Sequence, residues 1–125
     1  MTRKNSPPPT IPALRLRVVL APEVFLGPGK ADLLQGIAET GSISAAGRRL
    51  GMSYKRAWLL VETLNGYFHE PLVLAATGGK AGGGAQLTKL GADVLARYRR
   101  MATACEAACA ADIAALRKWR GKAPK

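Results

Sequence analysis

The segment Ser42-Ile-Ser-Ala-Ala-Gly-Arg-Arg-Leu-Gly-Met-Ser53 restricts what this chain can fold into more than any other stretch. Serine is favoured at helix N-caps because its hydroxyl accepts a hydrogen bond from an N–H that the first turn leaves orphaned. Ser42 is therefore expected to start a short helix, Ile43 to Leu50, and Ser53 a longer one reaching about Phe68. Only Gly51-Met52 remains for the turn, and Gly51 accepts the positive φ that so tight a reversal needs. Helices joined this closely cross steeply, so the first must be small where they touch; Ala45, Ala46 and Gly47 are small. Leu50, Met52, Ala57 and Leu60 are the expected filling between them, with Ala57, Leu60, Val61 and Leu64 forming the inner stripe of the second helix.

The flanking sequence adds elements in a fixed order. Thr2 to Pro12 is Pro-rich and cannot form a helix or a central strand, because successive prolines remove donors and fix φ; it reads as a mobile arm. Arg15 to Leu20 alternates and ends at Pro22, which predicts one short strand with its basic residues turned outward. After a break at Gly27-Pro28-Gly29, Leu33, Leu34, Ile37 and Ala38 recur at helical spacing until Gly41. Leu72 to Ala76 has the length and bounds of a strand, Thr77 to Ala85 is glycine-rich, and Gln86-Leu87 returns as the partner strand. Thr88 then caps a final helix running to Trp119. Its stripe is Val94, Tyr98, Met101, Cys105, Cys109, Ile113 and Leu116. Such a helix is far longer than a small globule can cover, so it calls for a second chain.

Charge and composition exclude several function classes. The chain has 125 residues, with 19 Lys and Arg against 8 Asp and Glu, a net charge of +11. A domain this basic points to a polyanion as partner. The cations are unevenly placed: Ser42 to Val61 carries Arg48, Arg49, Lys55 and Arg56 with no acid. No stretch approaches the roughly 18 apolar residues of a membrane span, and the polar start lacks the apolar core of a secretory signal. Cys105 and Cys109, four apart on one helix, are poorly placed for a mutual disulfide and fit a reducing cytoplasm. Two Cys and one His cannot make a four-ligand zinc site. Without paired carboxylates or a nucleophile–base pair, catalytic residues, metal and cofactor are all expected to be none.

Strand, helix, short helix, turn, helix, two-strand hairpin and helix is the order of a winged helix-turn-helix. In that architecture Ser53, Tyr54, Lys55 and Arg56 open the helix that enters the major groove. Arg can fork onto guanine O6 and N7, and Lys does so less rigidly or holds a phosphate. Ser42, Ser53 and the N–H groups at two helix starts can clasp phosphate oxygens, and Lys80 on the glycine-rich wing tip can approach the sugar-phosphate edge. Plainer readings stand beside these. Arg48 and Arg49 can be a solvated face, and Trp58 is expected to be buried. The glycine loop can be a hairpin tip, lacking the Gly-Lys-Ser/Thr ending of a P-loop, and His69 next to Glu70 reads as surface.

The run Thr40-Gly-Ser-Ile-Ser-Ala-Ala-Gly-Arg-Arg-Leu-Gly-Met-Ser-Tyr-Lys-Arg-Ala-Trp58 closely resembles the DNA-binding domain of the ModE-type, molybdate-responsive regulators. Pro71-Leu-Val73, Ala76-Thr-Gly-Gly-Lys-Ala-Gly-Gly-Gly-Ala85 and Leu87-Thr88 extend the likeness through the wing. LysR-type N-terminal domains share the helix-turn-helix half; the Ser-Tyr-Lys…Trp segment joined to the Thr-Gly-Gly-Lys wing is what resembles ModE. The likeness covers roughly Leu14 to Leu116, and the chain departs from it at Leu74 and Ala75, where a charged pair is usual. It implies a cytoplasmic homodimer that sets two recognition helices on a palindromic site, with Ser53, Tyr54, Lys55 and Arg56 on the recognition motif and Lys80 on the wing. The chain is expected to be a short form without the family's molybdate-binding domains, which leaves molybdate open as an effector.

The expected fold class is mainly α with a small β-hairpin wing, a winged helix-turn-helix with a long C-terminal dimerisation helix. Residues 1–13 are expected as a basic arm, 14–87 as the DNA-binding domain, 88–120 as the dimerisation helix and 121–125 as a basic tail. The expected function is a homodimeric, sequence-specific regulator on double-stranded DNA, away from membranes, with control of molybdenum transport or molybdoenzyme genes implied by the resemblance to ModE-type regulators. Two alternatives are a non-specific architectural DNA-binding protein and a small oxyanion-binding module built on the glycine loop and Lys80.

Overall fold

In the computed structural model, residues 13–76 and 84–121 are described. The expected arm over Thr2 to Pro12, the glycine loop with Lys80 and the last residues of the tail lie outside the described residues. The chain runs β1 (Val18–Ala21), β2 (Val24–Leu26), α1 (Pro28–Thr40), α2 (Ile43–Arg49), α3 (Tyr54–Tyr67), β3 (Val73–Ala76), β4 (Gly84–Leu87) and α4 (Lys89–Trp119). With four helices, a small antiparallel hairpin and a long last helix, it is a winged helix-turn-helix.

The first strand is not single. The chain reverses at Pro22-Glu23, and β1 pairs antiparallel with β2, Val18 opposite Leu26 and Val19 opposite Phe25. Pro22 presets the second turn position, and Glu23 takes φ 64°, a value at which Gly or Asn is usual. That unusual occupant hid the turn from a sequence reading. Pro28 does not break the chain either. It is the first residue of α1, where its missing N–H would have no intrahelical partner anyway.

Leu33, Leu34 and Ile37 of α1, Leu64 of α3 and Leu72 are the large side chains removed completely from solvent. Each contributes about 1.5–3 kcal/mol relative to an exposed position. Two glycine–alanine contacts set how closely the helices approach. A Cβ on Gly36 would lie 2.9 Å from the Ala46 Cβ, and one on Gly47 would lie 2.9 Å from the Ala57 Cβ. Small residues in α2 are thus used on both sides, Ala46 against α1 and Gly47 against α3. Gly51 takes φ 72° and its N–H donates to the Arg48 carbonyl at 3.1 Å. Leu50 does not fill the interhelical space: it is the C-cap of α2 and 37 % exposed. Helix α2 ends one residue before the expected end, which leaves Leu50 on the turn.

The wing is an antiparallel ladder from Val73 opposite Leu87 to Ala76 opposite Gly84. The corner between α1 and α2 adds a rung: the Ala85 N–H donates to the Gly41 carbonyl at 2.9 Å, and Ser42 bridges Gly84. Asn65 near the end of α3 anchors the other side. Its Oδ1 accepts from the Leu72 and Val73 N–H groups at 2.8 and 3.0 Å, and its Nδ2 donates to the Val73 carbonyl at 3.0 Å. Thr88 caps α4 by accepting from the Gly91 N–H at 2.9 Å and donates its own proton to the Pro71 carbonyl at 2.8 Å.

Helix α4 has 31 residues, about 46 Å at 1.5 Å per residue. Only its first half is held by the domain: Leu95 and Tyr98 are buried, and the Tyr98 hydroxyl donates to the Leu16 carbonyl at 2.7 Å. Arg99 pairs with Asp32 of α1 at 3.0 Å, and Glu106 accepts the Leu14 N–H at 2.8 Å. Beyond Glu106 no hydrogen bond ties the helix to another element among the described residues. The buried line runs through Gly91, Leu95 and Tyr98, and Met101, on the apolar stripe of this overhanging helix, is exposed.

Candidate nucleic-acid interface

The buried line Ala57, Val61 and Leu64 fixes the rotation of α3. Side chains on the opposite side, with Lys55 and Leu59 one turn apart, face out. The Ser53 Oγ accepts the Arg56 N–H at 3.1 Å, and the Ser42 Oγ accepts the Ala45 N–H at 3.0 Å. Capping uses an oxygen lone pair and leaves each hydroxyl proton to donate outward, the polarity a phosphate oxygen needs. Tyr54, Lys55 and Arg56 are exposed. Neither Lys55 nor Arg56 takes part in an ion pair among the described residues. Ser53, Lys55, Arg56, Leu59, Leu60 and Thr63 together line a shallow groove of about 240 Å³ along the helix.

The other expected residues are dispersed. The Arg48 Nη1 donates to the Ser44 Oγ at 3.1 Å, within its own helix. Arg49 instead reaches across to α1 and pairs with Glu39, which also accepts from the Gln35 Nε2 at 2.8 Å. The hydrogen bond from Arg49, and then that from Gln35, holds the Glu39 carboxyl below its ordinary value. The charge of Arg49 is therefore partly matched. Lys80 lies outside the described residues. The exposed His69 beside Glu70 sits on the surface, as expected.

Trp58 requires a correction. It was expected to be buried, yet it is 41 % exposed, because the line through Ala57, Val61 and Leu64 turns position 58 away from the core. It lies one turn from the exposed Tyr54. Leu59, 50 % exposed, went unnoticed. The signal was there in the adjacent Leu59-Leu60, since two neighbours on a helix cannot both face the same core. A second cationic feature is in the first hairpin, where Arg17 and Lys30 stand over the Phe25 ring at 3.8 and 3.6 Å. Among the described residues no cluster of three or more His, Cys, Asp or Glu could hold a metal ion, and no helix is long and apolar enough to cross a membrane.

Residues 30–92, from the start of α1 into α4, match the family described as bacterial regulatory helix-turn-helix protein, lysR family. The chain belongs to this family. The family is one of regulatory helix-turn-helix proteins, and α2 and α3 form that helix-turn-helix here. It is similar to the molybdenum-pterin-binding protein MopA of Rhodobacter capsulatus, 46% identical over 90 residues, 72% of this chain and 33% of MopA. It is also similar to the transcriptional regulator ModE of Yersinia pestis, 42% identical over 88 residues, 70% of this chain and 34% of that protein. The DNA-binding transcriptional dual regulator ModE of Escherichia coli strain K12 is 40% identical over 87 residues, 70% of this chain and 33% of that ModE. The lysR-family chain thus spans about a third of the length of these relatives.

Proposed function

We propose that the protein is a homodimeric, sequence-specific DNA-binding regulator that acts on a palindromic operator and controls genes of molybdenum transport or molybdoenzymes. The observation that carries this reading is the start of α3: a serine-capped helix presents exposed Tyr54, Lys55 and Arg56, and no Asp or Glu occurs from Ser42 to Val61. Phosphates are attracted to that surface without competition from a carboxylate, while Arg56 and Lys55 have the donors to read guanine edges. Ser42 and Ser53 would hold phosphate oxygens, Arg48 and Arg49 would strengthen the field, and Lys80 would hold the backbone from the wing.

The distal half of α4 supports the dimer. Among the described residues no hydrogen bond ties it to another element beyond Glu106, yet its exposed surface includes Leu116 and Trp119 beyond the half-buried Ile113. Pairing that length against a second copy removes apolar surface from water and fixes the distance between two α3 helices. The simplest arrangement spaces the half-sites one helical turn, about 34 Å, apart. Regulation would follow from occupancy of a promoter in the cytoplasm, with no covalent step. The link to molybdenum rests on the names of the relatives and the family likeness.

The test is binding to the protein's own upstream promoter DNA against scrambled DNA at about 150 mM salt, which suppresses non-specific phosphate binding, with and without molybdate. A preference of about 1,000-fold or more is the expected result. Equal, salt-sensitive binding to both, repeated with other candidate operators, would replace the proposal with non-specific architectural binding. A change on adding molybdate would show that this chain senses it.

A further inference from the structure

We infer that Leu59 reads the 5-methyl group of a thymine in the major groove, making it a specificity-determining residue beside Lys55 and Arg56. The inference rests on the DNA-binding reading above and concerns what the operator must contain. Leu59 is 50 % exposed in the groove that also takes in Ser53, Lys55, Arg56 and Thr63. It lies one helical turn beyond Lys55, on the side of α3 opposite Ala57, Val61 and Leu64. Half of its surface is left open by the described residues. Of the other exposed apolar side chains, the amphipathic Tyr54 and Trp58 share α3 with it, Leu50 precedes the helix and Leu74 is on β3, while Val19, Leu20, Met101, Leu116 and Trp119 belong to β1 and α4; on the side of α3 opposite the core Leu59 is the one aliphatic side chain among them.

Charge complementarity identifies the occupant. Lys55 and Arg56 lie one turn before Leu59, towards the helix start, and the carboxylate of Glu62 lies three residues after it, on the side away from that start. A surface of this kind draws in a phosphodiester duplex and not an apolar protein partner. Once the helix start is held in the groove, the next turn faces base edges. The thymine methyl is the one apolar group those edges present. Leucine has neither donor nor acceptor, so it discriminates in two ways. It gains contact with a methyl, and it penalises cytosine, whose N4 donors would be pressed against hydrocarbon without a partner. Thr63, one turn beyond Leu59, extends the strip with a methyl and a hydroxyl. Glu62 marks where the attraction to phosphate ends.

The experiment starts from operators selected out of random duplexes with the full chain, followed by replacement of each thymine, singly, with uracil. That exchange removes the methyl group and nothing else. Wild-type protein should lose about fourfold in affinity at one thymine position, the ratio equivalent to burying one methyl-sized group, and about the square of that when both symmetric positions are changed. Leu59→Ala should bind the unmodified operator correspondingly less well and become indifferent to uracil at that position alone. Leu59→Met should keep the dependence. Leu59 is exposed, so both variants are expected to fold, as circular dichroism would verify. If no preferred sequence emerges from selection, the DNA-reading proposal itself falls and this inference with it. If a preferred operator emerges and Leu59→Ala keeps every uracil effect of the wild type, only the role of Leu59 is overturned.

Discussion

Replacing Asn65 by Ala should destabilise the domain by roughly 3 kcal/mol, although the side chain touches no proposed DNA contact. Asn65 makes three hydrogen bonds to the backbone of Leu72 and Val73, between 2.8 and 3.0 Å long. Leu72 and Val73 are themselves buried. At a net worth of about 1 kcal/mol each, the three bonds give the central figure, and the desolvation of two stranded N–H donors sets an upper end near 5 kcal/mol. Water entering the space left by the side chain would move the value towards the lower end. The assay is urea unfolding followed by far-ultraviolet circular dichroism, at one protein concentration for both proteins because the apparent stability of the proposed dimer would depend on it. In a thermal scan the same loss corresponds to about 10–20 °C. Amide hydrogen exchange adds a local readout: protection at Leu72 and Val73 should fall first, since the lost partner is theirs. A loss below about 1 kcal/mol with unchanged denaturant dependence and intact protection at both amides would refute the reasoning. The two N–H groups would then have partners other than Asn65.

Gly91→Ala should be at least as severe, about 3 kcal/mol or more, because a Cβ there would collide with the Leu72 carbonyl oxygen, which is backbone; a thermal midpoint near that of wild type would contradict the close approach. Ile113→Asp should leave the helix content intact and convert the proposed dimer to monomer in sedimentation equilibrium, and a dimeric variant would move the interface elsewhere. Arg56→Ala should cost about 1–3 kcal/mol on the selected operator and relax preference at one position, whereas uniform weakening on all sequences would reassign Arg56 to phosphate. Glu39 has its carboxyl pKa lowered in the folded state, so its contribution is present above the unfolded value and lost as pH falls through the folded one. Thermal scans between about pH 6 and pH 3 should therefore show a smaller acid-induced loss in Glu39→Gln than in wild type, and superimposable profiles would count against the linkage.

Elements were readable from the sequence wherever a cap or breaker agreed with an apolar period. Ser42, Ser53 and Thr88 each mark an N-cap that the structure uses, and Gly41 and Gly51 both take the positive φ that makes them stops. Legibility failed where local chemistry was unusual or ambiguous. The strand β2 has three residues and follows a turn with Glu at its positive-φ position, so neither length nor turn residue announced it. In α3 the run Trp58-Leu-Leu-Val61 is apolar throughout, and such a run fixes that a helix is buried without fixing its rotation. The reading therefore placed Trp58 inward and overlooked Leu59. Asn65 and the pairing of Arg49 with Glu39 were beyond reach for another reason: both depend on which elements become neighbours, and no spacing along the chain encodes that. The residues at the start of α3, by contrast, follow directly from the cap and the inner stripe, which is why they were the most legible part of the candidate site.

The forces that orient α3 are almost entirely neutral, and this separates folding from recognition. Gly47 against Ala57, Gly36 against Ala46, and Asn65 on the wing backbone set its position, and none of them is a charged contact. Of the four ion pairs among the described residues, only Arg49 with Glu39 and Arg99 with Asp32 join different elements, and all the partners are partly exposed. Such pairs contribute little to stability. The net charge of +11 therefore cannot be explained as something the fold requires; by self-repulsion it works against the compact state. A cation load larger than the few pairs and ring contacts within the fold employ, next to a helix start that no carboxylate shields, keeps the chain soluble and is matched when a polyanion is bound. In the proposed DNA complex counterions leave the duplex and the repulsion among Lys and Arg is relieved together, so the fold and the charge pattern of this chain would there cease to oppose each other.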